Sequence, residues 1–190
     1  MQFRIIEITE TEKFQFLKIF KNGNTSVQHC IEDTYPGKFW NSTAPAGKKP
    51  RFAIIREPYE RFMSGLIYDA ENHKINIKDI NFKKIFTTNE FHIRNRLFGN
   101  INHSSSQIPY LMNTGITHYI DLDDLDIFLK MHFGKTLNLL QNNSKEKTKE
   151  IEKILDKKEI LKYLHLDNFV YNSIKHSPFL WQWQHGKIFE

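Results

Sequence analysis

The stretch from Phe14 to Ile31 constrains this chain more than any other. Phe14, Phe16, Leu17, Ile19 and Phe20 make a short apolar run of aromatic and branched residues, the pattern of an inner strand. Lys21-Asn22-Gly23-Asn24-Thr25-Ser26 follows. Gly23 allows a tight turn and close backbone approach to a ligand. Thr25 or Ser26 is expected to cap the next helix, on which Val27, Cys30 and Ile31 recur at core-facing spacing. The first amides of such a helix lack intrahelical acceptors, and its dipole favours an anion there. Lys21, at the strand end, can reach the same spot. This is not a Walker A loop, because the lysine precedes the glycine and no Gly-Lys-Ser/Thr follows. Taken alone, the hexapeptide fits an ordinary strand–turn–helix with a surface lysine as well as it fits a phosphate site.

A second strand–turn–helix repeats the arrangement. Arg51-Phe-Ala-Ile-Ile-Arg56 is an apolar strand with a basic residue at its carboxyl end. Pro58 suits a first helical turn, and Tyr59, Phe62, Met63, Leu66 and Ile67 trace an apolar helical face. Arg61 and Ser64 are three apart and share another face. Arg56 and Ser64 can therefore meet around one anion, for which the planar guanidinium fork is well shaped. The plainer alternative makes Arg56 and Arg61 solvated charges or partners of Glu57 and Glu60.

The rest of the chain extends this alternation. Residues 1–12 offer an edge strand through Phe3, Ile5 and Ile6, and Tyr35–Lys49 reads as a loop. Ile116–Ile120 reads as a third strand ending at Asp121, followed by a helix capped by Asp123 or Asp124 and lined by Leu125, Phe128, Leu129 and His132. Thr136–Leu140 reads as a fourth strand and Ser144–Leu155 as a charged helix burying Ile151, Ile154 and Leu155. Leu164–Ile174 reads as a terminal helix, and Trp181 and Trp183 alternate across a short tail. Short helices around Ile80–Phe86 and Phe91–Phe98 surround a lysine-rich stretch that includes Lys74, Lys78, Lys83 and Lys84. Alternating strands and helices predict an α/β fold: one domain over residues 1–190, with a central parallel sheet flanked by helices.

At 190 residues, with 39% hydrophobic content and 16 Phe, the chain can bury a full core. Twenty-seven basic against 22 acidic residues leave +5, a mild excess that suits a phosphorylated ligand, a nucleic acid or an acidic glycan. Cys30 is the single cysteine, so an intrachain disulfide and a cysteine zinc site are excluded. No apolar run reaches membrane-span length and no signal-peptide core opens the chain, so a soluble, cytoplasmic protein without a membrane span is expected.

Together, Lys21-Asn-Gly-Asn-Thr-Ser26 and Arg56-Glu-Pro-Tyr-Glu-Arg61-Phe-Met-Ser64 resemble the paired nucleotide motifs of the PAPS-dependent sulfotransferases, closest to the carbohydrate (Golgi-type) enzymes and their bacterial and viral relatives. The resemblance covers about residues 13–70. It implies a P-loop-NTPase-like sulfotransferase fold, with PAPS (3′-phosphoadenosine-5′-phosphosulfate) as co-substrate, PAP as product and no metal. Lys21, Asn22, Gly23, Asn24, Thr25 and Ser26 would hold the 5′-phosphosulfate, and Arg56, Arg61 and Ser64 the 3′-phosphate. His103 and Gln107 match the family's His-x-x-x-Gln pattern, with His103 as general base and Gln107 toward the acceptor. The family's Trp and Pro are replaced by three serines here. His92, His118 and His132 are the other candidates for the base. Ser144 and Lys145 fall where relatives carry a loop on the adenosine side. The implied acceptor is a hydroxyl, that of a glycan or small sugar, and no nucleic acid is expected as partner. The alternatives are a non-catalytic basic module for nucleic acid or acidic glycan, a nucleotide kinase with a degenerate P-loop, and a relative that binds PAPS but has lost its base.

Overall fold

The computed structural model describes residues 7–42, 47–79, 82, 103, 106–111, 115–136, 144–182 and 186–189. The chain gathers into two compact units: Met1–Arg56 with Gln107–Asn138 and Val170–Glu190, and Glu57–Ser106 with Leu139–Phe169.

The first unit is α/β. Strands β1 (Ile8–Thr11), β2 (Gln15–Leu17), β3 (Phe39–Ser42), β4 (Arg51–Ile55) and β5 (His118–Asp121) form one sheet in the order β3-β1-β2-β4-β5. β2, β4 and β5 run parallel, as the sequence predicts. β1 is antiparallel to both β2 and β3, so the sheet is mixed. The physical reason lies in the connection: only residues 12–14 separate β1 from β2, which permits a hairpin but not a crossover. The Thr11 hydroxyl accepts from the amides of Lys13 and Phe14 and closes that turn. Two further expectations are corrected here. The early strand lies inside the sheet at Ile8–Thr11, while Phe3, Ile5 and Ile6 lie outside the described residues. The stretch Tyr35–Lys49 contains a strand, β3, which pairs with β1 along Thr11↔Phe39 to Ile8↔Ser42.

β4 is buried along its whole length, as a strand covered on both faces must be. Alternation sends Phe52 and Ile54 to one face, where they join Phe14, Phe16 and Ile120 beneath α1 (Asn24–Thr34) and α4 (Leu125–Phe133). Ala53 and Ile55 go to the other, with Leu17, Tyr110, Leu111, Tyr171 and Ile174. The last two belong to the part of α7 (His165–Lys175) that lies in this unit; Tyr110 and Leu111 belong to α3 (Ile108–Leu111). A parallel bridge from Tyr119 to Leu180 carries the chain past β5, and Trp181 is buried with its indole N–H on Gly186 O. Asp124 stands at the N-cap of α4, as expected, but its side chain makes no capping bond. Instead, the Asp121 carboxylate accepts from Asp123 N and starts a 3-10 turn, Leu122–Asp124, that runs into the helix. Asp121 is buried, and Tyr171 Oη at 2.8 Å and Lys175 Nζ at 3.1 Å complete its surroundings.

The second unit is helical in its described part: α2 (Pro58–Asn72), α5 (Ser144–Glu152), α6 (Lys157–Tyr163) and the first residues of α7, with a 3-10 turn at Ile77–Asp79. Pro58 opens α2, and the Glu57 carboxylate caps it by accepting from Glu60 N at 2.7 Å. The predicted face of α2 is buried whole, Tyr59, Phe62, Met63, Leu66 and Ile67 packing on Ile151, Leu155, Ile160 and Leu164. Ile154, expected inside, is 45% exposed. Phe82 joins this core. The readings placed on residues 80–81 and 83–102, on 137–143 and on Trp183 lie outside the described residues, and Thr136 belongs to no strand.

His132 illustrates how the first unit depends on pH. Its Nδ1 donates to Phe128 O at 3.0 Å and its Nε2 accepts from Ile188 N at 2.8 Å, which requires the neutral ring. Burial holds the imidazole below its ordinary value of 6.5, and burial acts the same way on His118. Unfolded chains take up these protons first, so stability should decline as pH falls below about 6.5. Thermal melts between pH 7.5 and 5.5 are expected to show this decline, and a His132→Gln variant should show a shallower one.

Candidate functional site

The carboxyl ends of β2 and β4 are adjacent because the strands pair in parallel, Gln15↔Arg51 through Leu17↔Ala53. Ligands of open α/β sheets gather at such ends. From β2 the chain passes through buried Ile19 into a turn closed by Asn22 N on Ile19 O at 3.2 Å. Lys21 has φ 64 and Gly23 φ 79, so two left-handed residues flank Asn22. For lysine that conformation is uncommon and costs on the order of 1 kcal/mol.

A closed polar circuit holds the turn in place. Asn22 is fully buried, and its Nδ2 donates to Ile54 O at 2.8 Å and to Gln107 Oε1 at 3.1 Å. Gln107 Nε2 donates to Arg56 O at 3.2 Å, and Arg56 Nη1 donates back to Lys21 O at 3.2 Å. The two sequence motifs thus meet where the Arg56 guanidinium touches the Lys21 carbonyl. Gln107, read as acceptor-facing, is 1% exposed and serves as the bridge of this circuit.

The start of α1 differs in detail from expectation. Gly23 is the N-cap and no side chain caps the helix; Thr25 and Ser26 lie inside its first turn, after Asn24. The first helical bond comes from Val27 N to Gly23 O, so the amides of Asn24, Thr25 and Ser26 precede the ladder. No acidic residue stands in that turn to compete with an anion. Gly23 also has a packing reason. A Cβ there would come within 2.8 Å of Leu125 Cδ2 and 3.0 Å of Leu122 Cδ1, so the close approach it permits is to α4.

Within the second unit, α2 carries a different constellation. Asp69 is 1% exposed and grips His103 twice: Oδ2 accepts the His103 backbone amide at 2.9 Å, and Oδ1 lies 2.6 Å from Nδ1. An ionised carboxylate only accepts, so the proton between them sits on Nδ1. The Tyr68 ring packs edge-on against the imidazole, with centroids 4.5 Å apart. Arg61 is buried, and its Nη1 donates to His103 O at 3.2 Å. Ser64 is half-buried on the same helix.

Comparison with protein-family models, with curated proteins and with solved structures gives no match.

The Lys21–Gly23 turn, Arg56 and the open start of α1 supply cations and amide donors for an anion. Asp69 holds the His103 imidazole in one orientation with a proton on Nδ1, a geometry that a proton-accepting role could use. Of the fallback histidines, His132 uses both ring nitrogens on the backbone, His118 Nδ1 lies 2.9 Å from Thr117 Oγ1, and His92 lies outside the described residues. The side chains of Ser144 and Lys145 also lie outside; their backbone opens α5. Among the described residues, no group of three or more His, Cys, Asp or Glu side chains is placed to hold a metal ion. Sequence reasoning missed Asp69 and the bridging role of Asn22. The signal for Asp69 was its place on α2 one and two turns beyond Gly65 and Arg61, the face that the apolar stripe leaves vacant.

Replacing Gly23 by Ala imposes both the steric clash and the left-handed strain, and is expected to destabilise the protein by about 2 kcal/mol in urea unfolding. Asn22→Ala, which leaves Ile54 O and Gln107 Oε1 without their shared donor, should cost roughly 2 kcal/mol in the same assay.

Proposed function

We propose that the protein is a sulfotransferase that moves a sulfuryl group from PAPS to an acceptor hydroxyl, that of a carbohydrate by the resemblance, on a P-loop-NTPase-like variant of the α/β fold. The strongest support is the contact of the Arg56 guanidinium with the Lys21 carbonyl, beside an α1 amino end that carries no acid. Lys21 and the amides of Asn24, Thr25 and Ser26 would receive the 5′-phosphosulfate, and Arg56 with Ser64 the 3′-phosphate. Arg61 is assigned to support of the His103 segment, in keeping with its bond to His103 O.

Sulfuryl transfer has a loose, in-line transition state, like phosphoryl transfer, and depends on positioning and on placed positive charge. The acceptor oxygen forms its bond to sulfur as the sulfur–oxygen bond to the phosphate breaks. His103 Nε2 takes the hydroxyl proton, and Asp69 stabilises the imidazolium. The bridging electron pair leaves on the PAP phosphate, where Lys21 neutralises it.

A thermal-shift comparison of PAP, ATP and NAD tests the cofactor without knowledge of the acceptor. PAP at a hundredfold excess over its Kd should add about 2.7 kcal/mol of stability; no shift with PAP, or a larger one with ATP and Mg²⁺, overturns the proposal in favour of the kinase alternative. Lys21→Ala should lower turnover about 10²–10³-fold with PAP binding only weakened. His103→Ala should lower kcat at least about 10²-fold. Asp69→Asn should lower kcat with KM little changed, because it disturbs the tautomer and not the nucleotide.

A further inference from the structure

The second unit holds a groove of about 780 Å³ that no step of the proposed transfer uses. It lies between the carboxyl end of α2, residues 75–78 and α5. Ile67 and Ile151, both buried, form its floor, and Ile75, Ile77 and Ile154 its apolar walls. The mouth carries Lys74, Lys78, Lys147 and Lys153 against Glu71 and Glu150, an excess of two positive charges, with Lys147 paired to Glu71. The size is that of a small-molecule site, and the lining combines aliphatic side chains with exposed charged groups. It is lined by aliphatic side chains, with no aromatic ring among its lining residues on which a base or sugar could stack.

Lys74 adds an independent observation. It stands at φ 52, one of two non-glycine residues with positive φ among the described residues. The backbone there ends α2: Lys74 N donates to Glu71 O and Ile75 N to Ala70 O, the paired bonds of a helix stop whose left-handed residue is usually glycine. Glycine would satisfy the backbone with less strain. The lysine instead places a cation on the groove mouth and turns Ile75 into its wall.

We propose that this groove binds a single-chain amphipathic anion, with the carbon chain on the isoleucine floor and the anionic head among Lys74, Lys78 and Lys153. The site is separate from the sulfotransferase assignment and does not rest on it. The apolar floor favours such a molecule over a nucleic acid or a glycan, both of which would leave the isoleucines uncovered.

Isothermal titration of the full chain with decanoate, below its micelle concentration, tests this. Decanoate is expected to bind with one-to-one stoichiometry, whereas acetate, which lacks the chain, and decyltrimethylammonium, which reverses the charge, should bind at least tenfold more weakly. A Lys74→Gly/Lys78→Ser variant should lose at least tenfold in decanoate affinity while its melting temperature is unchanged or raised, since glycine relieves the left-handed strain. Ile154→Ser, at a half-exposed wall position, should weaken decanoate severalfold. Absence of decanoate binding, equal binding of the cationic analogue, or affinity unchanged in both variants overturns the proposal. PAP-induced stabilisation should be the same in the Lys74→Gly/Lys78→Ser variant, which separates failure of this site from failure of the nucleotide site.

Discussion

A buried carboxamide pair holds the candidate phosphate site together. Asn22 and Gln107 come from distant parts of the chain and join the turn after β2, the last carbonyls of β4 and the entry to α3. In a low-dielectric interior these bonds are strong, and each would be expensive to leave half made. That asymmetry makes the circuit a determinant of geometry. The turn cannot drift from β4 without stripping a buried amide of two acceptors. Arg56 is then fixed by its own carbonyl and by the one it reaches, Lys21 O. The side-chain Oδ1 atoms of Asn22 and Asn24 are buried acceptors without a hydrogen-bond donor among the described residues.

The second unit solves a different problem on α2. A carboxylate at 1% exposure is costly unless it is both hydrogen-bonded and matched in charge. Asp69 accepts one backbone amide and one imidazole N–H from the same residue, so the helix fixes both the position and the orientation of His103. Arg61, two turns earlier, holds the carbonyl of that residue. Three bonds therefore fix the position and the orientation of a single histidine.

The contrast between what was readable and what was not follows the range of the interactions. The strands around Phe16, Phe52 and Ile120, and helices α1 and α2, announce themselves through local periodicity, and the apolar face of α2 is buried residue for residue as spaced. The antiparallel β1, the edge strand at Phe39–Ser42 and the burial of Asp69 depend on partners far along the chain. Phe39 and Trp40 sit in a stretch of Pro, Gly, Ser and Lys, and only pairing with Thr11 and Glu10 makes them a strand. Helix starts were misassigned for a related reason. Thr25, Ser26 and Asp123 have the right side chains, but Gly23 packs against Leu125 and Asp121 already receives Asp123 N, so capping was decided by contacts that spacing does not encode.

Lys21 and Lys74 share a backbone state that favours glycine, but for different reasons. At Lys74 the left-handed residue ends a helix and is held by two backbone bonds. Lys21 ends no helix; it stands in the turn between β2 and α1, and its conformation is held by the Asn22 turn on one side and by Arg56 on its carbonyl. Strain of this kind persists only where the surroundings over-determine it. Glycine two residues on shows that the turn accepts the least strained residue where a side chain would collide with α4. At Lys21 the left-handed conformation brings the backbone carbonyl to the Arg56 guanidinium, so the strain is offset in part by a bond that ties the turn to the end of β4.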